Sequence, residues 1–113
     1  MKAKHLFNSA MLNLGYRQKE DTYEPGITFI NQVCADISTA LGSDYNPVKS
    51  LTDDLNLSDK VINSVAVYGV AMHLALYRGD GDKNQFYAAL YNQRRRLLSS
   101  SSQRLDTLPK GED

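Results

Sequence analysis

The chain has 113 residues, a length that suits one domain, and 27 of them are Leu, Ile, Val or Phe, which is above the level expected of a disordered chain. Its 13 basic and 13 acidic side chains cancel, so there is no basic excess to drive sequence-independent DNA binding. Cys34 is the only cysteine, which excludes an internal disulfide and suits a reducing compartment.

The first predicted helix runs from Lys2 to Leu14, with Leu6, Phe7, Ala10, Met11 and Leu14 on one face. Asn8, Ser9 and Asn13 interrupt it, so the segment reads as an amphipathic helix and not as a signal peptide. Gly15 is placed to stop it in a left-handed cap. Tyr16 to Gly26 is polar and reads as a loop. A second helix is expected to start between Glu24 and Thr28, with Pro25 in its first turn. Its stripe is Ile27, Ile30, Cys34, Ile37 and Leu41, a narrow seam for another helix, and Gly42 follows as its cap. Cys34 on that seam reads as a small buried hydrophobe, without the partner base that a reactive thiol needs.

Ser43, Asp44, Asn46 and Pro47 form a turn. Ser50-Leu51-Thr52-Asp53 resembles a capping box with Asp in place of Glu, predicting a short helical turn that carries Leu51 and Leu55. Ser58 then caps a third helix, Asp59 to Arg78, with Asp59 favourable at the positive end of its dipole.

The third helix is apolar on almost every side. Regular helical spacing puts Ile62, Val65, Ala66, Gly69, Met72, His73 and Leu76 on one face. A mid-helix glycine costs about 1 kcal/mol relative to alanine, so Gly69 predicts a close approach by another helix. Val61 to Tyr77 is the nearest thing to a membrane span, but it is short and contains Asn63, Ser64 and His73. A helix this apolar must be enclosed, by its own domain or by neighbouring subunits.

Gly79-Asp80-Gly81-Asp82 breaks the helix, and either aspartate can cap a fourth helix from Asp82 to Leu98. Phe86, Leu90 and Leu97 make one stripe on it, and Tyr87, Tyr91 and Leu98 the adjacent one. Arg94, Arg95 and Arg96 close it, complementing the dipole. From Ser99 the composition turns to serine and polar residues with no core pattern. Residues 1–98 therefore read as the helical domain, and 99–113 as an extended tail ordered only on assembly. The expected fold is all-α: a small four-helix domain with a long central apolar helix and a C-terminal tail.

No constellation of catalytic residues stands out. Asp80, Asp82 and Asn84 imitate the start of a calcium loop, but Gln85 stands where Gly is needed and Tyr91 where a bidentate Glu is needed. His5 and His73 have no second ligand at metal spacing. The Tyr87/Tyr91 pair reads as core or interface, and seven Tyr against three Phe suit surfaces buried on contact. The reading is of a non-enzyme without cofactor or metal.

From Leu51 onward, SLTDDLNLSD leads into the apolar helix, AVYGVAMHLALYRGDGDKNQF is that helix with its acidic turn, and YAALYNQRRRLL is the returning helix. In these segments the chain resembles the head-tail connector (adaptor) proteins of tailed bacteriophages. Upstream, LFNSAMLNLGY and FINQVCADI fit the opening helices. The resemblance implies a virion protein, assembled in the host cytoplasm and located in the neck. It implies a homo-oligomeric ring, a dodecamer, seated below the portal protein. The ring extends the channel around packaged DNA and offers a docking surface to a downstream neck or tail protein, with no membrane involved. On that view Tyr68, Tyr77, Tyr87, Tyr91, Arg94, Arg95 and Arg96 make subunit contacts. Arg104, Leu105, Leu108 and Pro109 dock the tail on the portal, and Asp80 and Asp82 face the channel. The alternatives are a small helical DNA-binding or regulatory protein using Arg94 to Arg96, or another neck or tail-completion protein.

Overall fold

The computed structural model describes the backbone of residues 1–111 and the side chains of residues 1–98. Four helices account for it: α1 (Ala3–Leu14), α2 (Tyr23–Leu41), α3 (Asp59–Tyr77) and α4 (Gly81–Gly111). With 72% of the chain helical and no strand among the described residues, the all-α class is the observed one. The helix expected over Asp82 to Leu98 is the first part of α4, whose helical backbone runs on to Gly111 through residues read from the sequence as an extended tail.

The local signals act where the sequence places them. Gly15 and Gly42 sit at φ 72° and 71°, a region open to glycine because it has no Cβ. Each closes its helix with paired bonds: Tyr16 N to Met11 O and Gly15 N to Leu12 O, then Ser43 N to Ser38 O and Gly42 N to Thr39 O. Ser58 Oγ accepts from Val61 N at 3.2 Å and caps α3. At α4 the capping aspartate is Asp80, whose Oδ1 accepts from Lys83 N at 3.3 Å.

Two local expectations change. The segment read as a loop up to Gly26 contains a 3-10 turn, Glu20–Thr22, and α2 already starts at Tyr23. The expected helical turn at Ser50 to Leu55 is instead a tight turn closed by Asp53 N to Ser50 O. The Asp53 carboxylate accepts from Lys49 N and Ser50 N, while Ser50 Oγ accepts from Thr52 N. The backbone is diverted because its carbonyls serve α1. Leu51 O and Asp53 O accept from Lys4 N and Ala3 N, two of the donors left open at the start of that helix.

α3 is the central element and packs against the other three helices. The apolar face of α1 is buried as expected, from Leu6 through Leu14, and so are Ile30, Cys34 and Ile37 of the α2 seam. Val33 joins them, while Ile27 and Leu41 are half-buried.

The register of α3 departs from the expectation. Ile62–Ala66 form a π-helical turn, with Val67 N bonded to Ile62 O five residues back. That turn inserts extra chain without advancing the helix, so the inward face moves on by one to two residues beyond it. Ile62, Val65 and Ala66 are buried as expected. Downstream, Val67, Val70, Ala71, Leu74 and Ala75 face inward, Met72 and His73 are half-buried, and Leu76 is exposed. Gly69 stays buried, and a Cβ there would lie 2.7 Å from Val33 Cγ1 and 2.8 Å from Tyr91 Cε1. This is the close approach its presence predicts. By length and hydropathy α3 could cross a membrane, yet half of its apolar window is buried within the chain.

Candidate interaction surface

The polar contacts of α4 divide by the neighbour they reach. On the side toward α2, Tyr91 is only 5% exposed and its ring fills the space over Gly69. Its hydroxyl donates to Asp36 Oδ2 at 2.6 Å, and Arg95 Nε donates to the same oxygen at 2.6 Å. Burial raises the pKa of the Asp36 carboxyl, but the bonds from Arg95 and Tyr91 and the Arg95 charge outweigh it and hold the carboxyl below its ordinary value. Burial and the adjacent carboxylate push the Tyr91 phenol far up. Tyr91 and Arg95, expected at subunit contacts, are thus engaged with α2 of the same chain.

On the flank of the same inward stripe, toward the π turn and α1, Arg94 donates to Ser64 O in the π turn at 3.3 Å, and its guanidinium lies 5.5 Å from the Tyr68 ring centre. Tyr68 stacks on Tyr87 with ring centres 6.2 Å apart, and Tyr87 donates its hydroxyl to Asn13 O at the end of α1. Burial and then the neighbouring Tyr68 raise the Tyr87 phenol. Phe86 meets the edge of Tyr87 at 5.0 Å. Tyr68 and Tyr87 are half-buried, while Phe86 is 63% exposed.

The turn between α3 and α4 is tied to the end of α1. Tyr16 donates its hydroxyl to Asp80 Oδ2 at 3.0 Å, and its ring lies 4.9 Å from both the Arg78 guanidinium and Lys83 Nζ. Lys83 Nζ donates to Leu14 O at 2.7 Å. Asp80 is therefore occupied as a cap and as an acceptor for Tyr16, whereas Asp82 is exposed. Asn31 holds the connection before α3: its Oδ1 accepts from Val48 N and Tyr45 Oη, and its Nδ2 donates to Val48 O. Neither Asn31 nor Asp36 is conspicuous in the sequence, because each meets partners far along the chain.

The remaining outward surface is apolar in places. Phe86, Leu90 and Leu97 lie at spacings of four and seven on one face of α4, with Phe86 63% and Leu97 54% exposed. The adjacent Tyr87/Tyr91/Leu98 stripe is the one turned inward. On α3, Leu76 is 63% and Tyr77 52% exposed, and Tyr77 meets Phe29, which stacks on His73 at 5.3 Å. Burial lowers the pKa of His73. Arg96 is exposed at the rim of the α4 face. Arg104, Leu105, Leu108 and Pro109 lie outside the residues whose side chains are described.

Elsewhere Cys34 is buried, and burial pushes its thiol up to about 12. An open hollow of about 400 Å³ is lined by Glu20, Asp21, Glu24, Pro25 and Thr28, and another of about 260 Å³ by Lys4, Phe7, Asn8, Gln18, Tyr23 and Leu51. Neither set pairs a nucleophile with a base. Comparison with protein families, with curated proteins and with solved structures finds no match to this chain.

Proposed function

We propose that this protein is a structural assembly subunit, a head-tail connector (adaptor) of tailed bacteriophages. It forms a ring below the portal, extends the DNA channel and presents a docking surface to a neck or tail protein. The observation that carries the reading is the α4 face on which Phe86 and Leu97 are exposed and Leu90 is half-buried, with exposed Gln93 between them and Arg96 at the edge. Aromatic, aliphatic and Arg side chains on one helix face are the composition of a contact surface that water leaves on assembly. The sequence resemblance supplies the particular assembly. The tail from Ser99 is assigned to the portal, and Asp82 to the channel.

Two of the three arginines favour this reading over a helical DNA-binding regulator. Arg94 is held by Ser64 and Tyr68, and Arg95 by Asp36, so only Arg96 stands clear of the fold. A duplex-DNA titration that stays flat agrees with the assembly reading, whereas tight binding with a steep salt dependence favours the regulator.

The direct test is deletion of the gene from its parent phage, followed by electron microscopy of the lysate. DNA-filled or leaking heads beside unattached tails are expected. Normal infectious virions refute the proposal. Complementation with Phe86→Glu or Leu97→Glu then asks whether the α4 row is the contact: the variants fold but do not restore joined particles.

A further inference from the structure

We propose that α3 is a two-register helix, in which the π turn Ile62–Ala66 acts as a switch that selects which of two apolar faces the C-terminal half of the helix turns toward the core. The first ground is that nothing in the local sequence calls for a π turn. Ile62-Asn63-Ser64-Val65-Ala66 contains neither Gly nor Pro. π turns are rare, occur mostly as single bulges within α-helices, and are frequent at functional positions. This one is held from outside by the bond from Arg94 to Ser64 O, and from within by Ser64 Oγ donating to Lys60 O at 2.6 Å.

The second ground is that both faces of Val67–Tyr77 are apolar. In the observed register Val70, Ala71, Leu74 and Ala75 point inward, and Leu76 and Tyr77 are displayed. Taking up the extra residue into regular α pitch rotates this half by about 100° relative to Asp59–Val61. Met72, His73 and Leu76 then turn inward, the set that unbroken periodicity predicts. Val67, Ala71, Leu74 and Ala75 turn outward, leaving an apolar strip that another helix can cover. An ordinary amphipathic helix cannot exchange faces, because a charged side would enter the core. Here the first charge after the π turn is Arg78, beyond the end of the helix.

The consequence is regulatory. A partner that packs on Leu76 and Tyr77 selects the bulged register, and a helix that packs on Ala71 and Ala75 selects the regular one. Packed cores favour discrete arrangements over continuous deformation, so two registers are expected without intermediates between them. The two registers belong to the chain itself, whatever partner selects between them, and do not depend on the assembly reading.

The test is ¹⁵N relaxation dispersion on the full chain, in wild type, Arg94→Gln and a deletion of Asn63. Wild type should show microsecond-to-millisecond exchange over residues 61–77 and not over α1. Arg94→Gln removes the charged donor from the bulge and should raise the minor population about five- to tenfold. Deleting the exposed Asn63 takes out the extra residue, keeps Val70 and Leu74 inward in a continuous α-helix, and should abolish the exchange. Flat dispersion in both wild type and Arg94→Gln overturns the proposal, as does exchange that persists unchanged in the deletion. If the deletion variant does not fold, the comparison of wild type with Arg94→Gln decides alone. A merely structural role for Arg94 would lower the denaturant midpoint and leave dispersion over residues 61–77 unchanged.

Discussion

Replacing Gly69 by alanine sets two effects of opposite sign against each other. Alanine in a helix interior is favoured over glycine by about 1 kcal/mol. At this position the added methyl would lie 2.7 Å from Val33 Cγ1, 2.8 Å from Tyr91 Cε1 and 2.9 Å from Tyr91 Cδ1. Neither neighbour yields easily. Val33 is β-branched and stiff about χ1, and the Tyr91 ring is held at its far end by the 2.6 Å bond to Asp36. Overpacking of this kind costs about 1–3 kcal/mol, and two fixed neighbours place it in the upper half of that range. The net expectation is a loss of about 1–2 kcal/mol, or a Tm lower by roughly 5–15 °C. Urea unfolding followed by far-UV circular dichroism measures it. Val33→Ala in the same background should recover part of the loss, giving a coupling of about 1 kcal/mol in a double-mutant cycle. An alanine variant as stable as wild type, or more so, refutes the close approach of α2, α3 and α4 at Gly69.

Further outcomes follow from the polar contacts. The Asp36 carboxyl is held below its ordinary value in the fold, so its contribution is present above the unfolded pKa of about 3.9 and is lost as pH falls through the folded pKa. The urea midpoint should therefore drop below about pH 4, and Asp36→Asn should remove that part of the slope; an identical pH profile in the variant refutes the assignment. Because the Asp36 side chain is 42% exposed, the effect should stay under about 1 kcal/mol. Asn31→Ala leaves Val48 N–H and the Tyr45 hydroxyl without their acceptor, and should cost about 2–3 kcal/mol. Amide exchange at Val48 should accelerate in that variant, and unchanged protection there sinks the argument. Cys34, with its thiol at about 12, should resist a disulfide reagent at pH ~8 in the native protein and react only on unfolding. Rapid labelling without denaturant would show that the α2 seam is open.

The elements that the sequence discloses are those whose physics is local. Gly15 and Gly42 stop their helices within one turn of where they stand, and Ser58 reaches only as far as Val61. The apolar stripe of α1 is legible because a single face repeats over three turns without interruption. The contacts of Asn31 and Asp36 are not legible, since their partners lie 14 to 17 and 55 to 59 residues away. The turn at Ser50 to Asp53 fails as a helix for the same reason, because two carbonyls in that stretch are claimed by the start of α1. Tyr87 and Tyr91, adjacent on one stripe, are parted by their partners: Asn13 O takes one hydroxyl and Asp36 the other.

The sequence by itself therefore determines the helix count, three of the helix ends and an apolar central segment that has to be enclosed. Only the tertiary structure decides which side of that segment faces inward. Because α3 is apolar all round, hydrophobic burial supplies no preference between its faces. The choice falls to the π turn held by Arg94 and to the seat of Gly69 against Val33 and Tyr91. The same structure decides that Tyr91 and Leu98 turn inward and leaves Phe86 and Leu97 outside, because α4 must follow the face that α3 presents.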